Sequence, residues 1–178
     1  MTTSTVTANP RRDLALPIRC VLSDVDGVLT DGRIIYDAQL QETKCFHARD
    51  GLGIKLWMNS GFSFGILTAR QSAIVPHRAK ELGIEMVAQG FEDKWPAAQE
   101  IMRKFGYEPE QTCYIGDDLP DIAVMKRVGL AVAPADASLD ARMVANWTTR
   151  ANGGQGAVRE LIEELLRAKG RWEEHLPR

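Results

Sequence analysis

Clustered positive charge, paired cysteines and long apolar runs are all missing from this 178-residue chain, and each absence removes a class of function. Basic residues number 22 against 24 acidic ones, a net charge of −2, so the electrostatic footprint of a nucleic-acid binder is not there. No apolar stretch approaches the ~20 residues that a membrane-spanning helix needs. The cysteines are only Cys20, Cys45 and Cys113, far apart and free of Cys-x-x-Cys or Cys/His spacing. That usage argues against a disulfide framework or a zinc site and fits a reducing compartment. The opening residues are rich in Thr and Ser and lack the apolar core of a signal peptide, which points to the cytoplasm. What remains is ordinary for one globular domain, with 44% apolar and 26% charged residues and enough length for a core without staples.

Residues 1–17 read as a disordered leader, 18–170 as one domain and 171–178 as a tail. Apolar runs at 18–22 and 62–67 each end in polar residues, as buried parallel strands do before a functional loop. Further strands are expected at 86–88, 112–115, 130–133 and 147–148. Between them helices are expected at 50–59, capped by Asp50, at 72–82 from Ser72 to a stop at Gly83, at 93–105 before Gly106, and at 119–128. A last helix spans 156–169, after a short glycine-rich joint, Asn152-Gly153-Gly154-Gln155-Gly156. This alternation predicts an α/β fold, Rossmann-like, with a parallel sheet and helices on both faces. Residues 32–48 hold two strand-like pieces, 33–36 and 43–47, which predict a β-hairpin insertion and leave no room for a large cap domain.

Ligands of open α/β sheets bind beyond the carboxyl ends of the strands. Those ends carry Asp24 and Asp26, then Thr68 with Arg70 beyond it, then Asp117, Asp118 and Asp121, while Lys94 opens the helix before the last of them. Converging carboxylates stay ionised together only around a cation, and an all-oxygen donor set suits Mg²⁺. A metal, a lysine and a hydroxyl on one rim form a charge arrangement for a phosphoryl group. Taken one at a time these residues are unremarkable: Asp-Gly marks turns, Thr caps local backbone, and Lys94 reads as a solvated lysine.

Together, Asp24-Val25-Asp26-Gly27 after a strand, Thr68 after a strand, Lys94, and Gly116-Asp117-Asp118-x-x-Asp121 resemble the haloacid dehalogenase superfamily in its capless form. That resemblance implies catalysis by Asp24, Asp26, Thr68 and Lys94. Asp24 would be the nucleophile that becomes an aspartyl-phosphate, and Asp26 the acid and then the base. Thr68 and Lys94 would hold the phosphoryl group. It implies Mg²⁺ bound by Asp24, Asp117 and the backbone carbonyl of Asp26, with Asp118 and Asp121 supporting the metal and the lysine. An acid at Asp26 suits phosphatases, which protonate an alkoxide. The stretches 23–32, 47–54 and 153–160 resemble the phosphatases of 3-deoxy-D-manno-octulosonate 8-phosphate, a precursor step of lipopolysaccharide synthesis. That narrower likeness implies a sugar-acid phosphate as substrate, met by Arg49 and Arg70, and a homotetramer packed through its hairpins. Alternatives are a nine-carbon sugar acid 9-phosphate as substrate, or a non-catalytic sugar-phosphate-binding subunit.

Overall fold

The computed structural model describes residues 10–177. The elements in chain order are α1 (Pro10–Ala15), β1 (Cys20–Ser23), β2 (Ile35–Tyr36), β3 (Glu42–Thr43), α2 (Ala48–Asn59), β4 (Ser63–Thr68), α3 (Ile74–Leu82), β5 (Met86–Gln89), α4 (Lys94–Phe105), β6 (Thr112–Ile115), α5 (Ile122–Met125), β7 (Leu130–Ala133), α6 (Leu139–Val144), β8 (Trp147–Thr148) and α7 (Ala157–Ala168). Six strands form one parallel sheet in the order β5-β4-β1-β6-β7-β8. The fold is the expected α/β class with helices on both faces, and β2 and β3 form a separate antiparallel pair.

Strand periodicity splits the core in two. Val21, Phe64, Ile66, Cys113, Ile115 and Val132 face α2, α3 and α7, where Ile54, Trp57, Val75, Leu161, Ile162 and Leu165 cover them. Cys20, Leu22, Leu67, Tyr114, Ala131 and Ala133 face α4, α5 and α6 through Ala98, Ile101, Met102, Val124 and Ala141. Each large apolar side chain so buried contributes about 1.5–3 kcal/mol, so the two helical layers, rather than helix propensity, fix the sheet. The chain runs outward from β1 to β4 and β5, then crosses back to β6. This reversal opens a crevice beyond the carboxyl ends of β1 and β6.

Several expectations change in the structure. The hairpin keeps its place in 32–48, but its strands shrink to two residues each. Ile34, Ile35 and Tyr36 are exposed, so no buried face extends them. The helix expected over 119–128 becomes a 3₁₀ turn at Leu119–Asp121 followed by the single turn of α5. The helix α6 was not expected, although Ser138 caps it by accepting from the Ala141 N–H at 3.3 Å. Of the leader, residues 1–9 lie outside the described residues. Its described part forms α1, with Ala15 buried and the carbonyls of Ala15 and Leu16 bonded to Lys169 Nζ at 2.9 and 2.7 Å. The tail also folds, as a 3₁₀ turn at Trp172–His175 with Trp172 buried in the core.

Asp50 caps a different helix from the one expected. It stands inside the first turn of α2, whose N-cap is His47 without a side-chain cap bond. Its buried carboxylate reaches across instead and accepts from Arg159 N–H at 2.7 Å in the first turn of α7. The N-cap of α7 is Gly156, which has no side chain to offer, so Asp50 supplies the missing acceptor from another helix. Burial pushes the Asp50 carboxyl above its usual range, against the pull of the Arg159 N–H. Replacing Asp50 by Ala is expected to cost about 1–2 kcal/mol, since it removes a charged acceptor and orphans a buried donor. Urea denaturation will show this as a lower midpoint at unchanged slope, with Asp50→Asn keeping most of the stability.

Candidate active site

The loop after β1 is wound tightly. The N–H groups of Val28, Leu29 and Thr30 all point at the Val25 carbonyl, and Gly27 sits at φ 89°. A Cβ on Gly27 would lie 2.1 Å from Asp117 Oδ2, so glycine here lets two acidic loops close on each other. Asp24 follows Ser23, which pairs with Ile66 of β4 and Ile115 of β6. The same register brings Thr68 and the Gly116-Asp117 turn to the same rim. The Asp24 carboxylate accepts from Val25 N–H at 2.7 Å through Oδ1 and faces Lys94 Nζ at 2.8 Å through Oδ2.

Lys94 is 1% exposed and also bonds Asp121 Oδ1 at 2.6 Å. Asp121 is saturated: Tyr114 OH donates to Oδ1 at 2.6 Å, and the N–H groups of Asp117 and Asp118 donate to Oδ2 at 2.9 and 3.1 Å. It anchors the lysine and shapes the turn. Asp117 is the contrast, because its carboxylate accepts no hydrogen bond among the described residues. Carboxylate oxygens of Asp24, Asp117 and Asp121 lie within 4.8 Å of one another. Burial, then the charges of Asp121 and Asp24, raise Asp117 to about 8. Burial and Asp121 raise Asp24 to about 6, against the pull of Lys94. Three carboxylates against one ammonium leave two negative charges unbalanced, and Asp117 is free to bind. That donor set fits a hard divalent cation such as Mg²⁺.

Thr68 is 2% exposed, and its hydroxyl makes no hydrogen bond among the described residues. The Asp26 side chain turns away from Asp24 toward the hairpin. Its Oδ1 pairs with Lys44 Nζ and accepts from Thr30 Oγ1 at 3.4 Å, and its Oδ2 lies 3.5 Å from Arg70 Nε. Glu42 joins the group, accepting from the Arg70 guanidinium at 2.9 Å and lying 3.4 Å from Lys44 Nζ. Asp118 is exposed beside the turn and contributes its N–H. Arg49 is exposed on the first turn of α2, without a hydrogen bond or ion pair among the described residues.

The structure therefore brings Asp24, Lys94, Asp117 and Asp121 together, sets Asp26 and Arg70 beside them, and leaves Arg49 apart. Sequence reasoning missed Lys44, Glu42 and Tyr114. Glu42 lies in β3 and Lys44 one residue past its end, and a spacing of two puts side chains of extended chain on one face, the one signal available for them. The glycine-rich joint at 152–156 is held in place. Gly153 N–H bonds Asp136 at 2.9 Å, Gly154 N–H bonds the Val28 carbonyl at 2.9 Å, and a Cβ on Gly153 would lie 1.8 Å from the Gly27 oxygen.

Residues 84–162 match the family model for haloacid dehalogenase-like hydrolases. Over 159 residues the chain is 43% identical to the 3-deoxy-D-manno-octulosonate 8-phosphate phosphatase KdsC of Yersinia pestis, covering 89% of this chain and 85% of that one. The fold is similar to the crystal structure of the Moraxella catarrhalis phosphatase of that name in complex with a magnesium ion, a phosphate ion and a KDO molecule. The TM-score is 0.91 at 39% identity, covering 94% of this chain and 97% of that one. It is also similar to the cobalt-bound form of the Haemophilus influenzae phosphatase, with a TM-score of 0.89 at 37% identity over 92% and 96% of the two chains.

Because Asp24 and Asp117 titrate higher in the fold than in the unfolded chain, the metal-free fold holds protons that unfolding releases. Its stability is expected to fall as pH rises from about 4 to about 8. A divalent cation binds the ionised carboxylates, so its stabilising effect is expected to grow over the same window. Thermal denaturation with Mg²⁺ or with a chelator at pH 5.5 and pH 8 checks both, and a cation effect independent of pH contradicts the coupling.

Proposed function

Since the chain belongs to the haloacid dehalogenase-like hydrolases, among the 3-deoxy-D-manno-octulosonate 8-phosphate phosphatases, and is a phosphomonoesterase by that membership, we propose that its substrate is this eight-carbon sugar-acid phosphate and that hydrolysis runs through Asp24. The observation that carries the mechanism is the separation of two carboxylates: Asp24 bound to a buried lysine, Asp26 turned out of that cluster two residues on. One lies against the lysine for attack and the other is placed for proton transfer.

In the first step an Asp24 oxygen attacks phosphorus, the ester bond breaks, and Asp26 gives its proton to the departing alkoxide, leaving an aspartyl-phosphate. In the second, Asp26 takes a proton from water, whose oxygen attacks phosphorus and releases phosphate and free Asp24. Thr68 donates its unpartnered hydroxyl to a phosphoryl oxygen, and Lys94 balances charge there while fixing Asp24. Asp24, Asp117 and the Asp26 carbonyl are the groups that would hold Mg²⁺, which when bound neutralises charge on the phosphoryl oxygens. Asp121 and Asp118 keep the turn and the lysine in place. Arg70, beside Asp26, and Arg49 are assigned to the sugar acid, where a guanidinium fork matches a carboxylate.

The same reading includes a homotetramer. Exposed Ile34, Ile35, Tyr36 and Leu40 cluster on the hairpin, where a second copy would cover them. It also includes the cytoplasm, which the free thiols of Cys20, Cys45 and Cys113 support. No helix among the described residues is long and apolar enough to cross a membrane. The domain is taken as 18–170, with the ordered flanking segments α1 and Trp172–His175 packed onto it.

Phosphate release with Mg²⁺ is expected to be fastest from the eight-carbon 8-phosphate and slower from nine-carbon sugar acid 9-phosphates and an aryl phosphate. Preference for a nine-carbon ester moves the substrate, and no turnover of any ester points to a binding subunit. Asp24→Asn is expected to lower turnover at least about 10³-fold with the circular dichroism spectrum unchanged. Unchanged turnover refutes Asp24 as nucleophile. Light scattering at micromolar concentration is expected to give four times the chain mass, and a monomer removes the shared-hairpin assembly.

A further inference from the structure

The hairpin is exposed almost throughout, yet it buries one ammonium. The Lys44 side chain is 1% exposed, while Ile34, Ile35, Tyr36 and Leu40 around it face solvent. A lysine is hardly ever buried without partners, and Lys44 has two, Asp26 and Glu42. With Arg70 they form a group of two cations and two carboxylates. Within it the two oxygens of Asp26 are treated differently. Oδ1 is taken by Lys44 and by Thr30 Oγ1. Oδ2 is buried with no hydrogen-bond partner, as is Arg70 Nε beside it.

We propose that Lys44 is a positioning residue for the proton-transfer step: it binds Asp26 by Oδ1, so that Oδ2 is the oxygen presented to the leaving group. An ammonium has donors only and no lone pair, so an Asp26 proton has no place between Oδ1 and Lys44. Oδ2 makes no hydrogen bond and has only the 3.5 Å ion-pair contact with Arg70 Nε, so the proton given to the departing alkoxide as the ester bond breaks passes through it. In the second half-reaction the same oxygen takes the proton from water. The hairpin thus takes the part of a cap in miniature, reaching the reacting centre through one side chain. The inference rests on Asp26 being the acid in the proposed hydrolysis.

A general acid matters for a poor leaving group and little for one that departs without a proton. That difference separates positioning from mere support. Single-turnover cleavage, with enzyme in excess, is compared for the eight-carbon 8-phosphate ester and for 4-nitrophenyl phosphate. In Lys44→Met, cleavage of the sugar ester is expected to slow about 10²-fold while the first release of 4-nitrophenolate changes only a few-fold. Lys44→Arg, which keeps a donor-only cation, restores part of the sugar-ester rate. Glu42→Gln, which loosens Lys44 without removing it, shows the same selective loss in smaller measure, and it serves if Lys44→Met does not fold. Equal slowing of both substrates makes Lys44 a strut and overturns the proposal, as does no slowing of either. The underlying reading fails separately, in an Asp26→Asn variant that cleaves the sugar ester at the wild-type rate.

Discussion

The site depends on one buried ammonium. Lys94 is withdrawn from water at the start of α4 and touches Asp24 and Asp121, the first at the end of β1 and the second at the end of the β6 loop. Burial alone pulls its pKa down, but Asp24 and Asp121 outweigh that and raise it, so the charge is retained. Losing one member of such a buried pair typically costs about 3–5 kcal/mol, because the partner is left uncompensated. Here the lysine does more than join two loops. It is the cation against which three clustered carboxylates can be folded at all, and Asp121, filled by four donors, turns that attraction into a fixed direction.

Around this centre the acidic residues divide by their partners. Asp121 is consumed by internal bonds, Asp24 is half engaged, and Asp117 is unengaged. Asp26 belongs to another network, reached from the hairpin. The division explains how four aspartates on one rim can hold different chemistry: position along the chain brings them together, and the donors around each decide what remains available.

Much of the fold was legible because short strands in a parallel sheet read as apolar runs, and three of them, Thr112–Ile115, Leu130–Ala133 and Trp147–Thr148, match their expected bounds. Helix ends were legible where a glycine takes the left-handed conformation, as at Gly83 and Gly106. Contacts made by a residue outside its own element were not. Asp50 has the chemistry of a cap, but the helix it caps lies far along the chain. Lys44 and Glu42 sit among polar residues that a sequence reads as solvated, and only the folded hairpin shows them turned toward Asp26. The aspartates and Lys94 were found as a set because their order and spacing carry the pattern, although each alone reads as a turn or a surface charge.

Asp50 and Arg159 are 109 positions apart, and the central strand β1 is flanked by strands that both come much later in the chain. In kinetic terms these contacts are non-local. Long loops must close before their contacts reward the closure, so the rate is set by the search for distant partners rather than by helix or turn formation. The acidic rim gathers residues from β1, β4, α4 and β6, and the glycines at 153 and 154 lie against the first of these loops. Such a site has no local precursor. The rim is complete only once the last of these closures has been made.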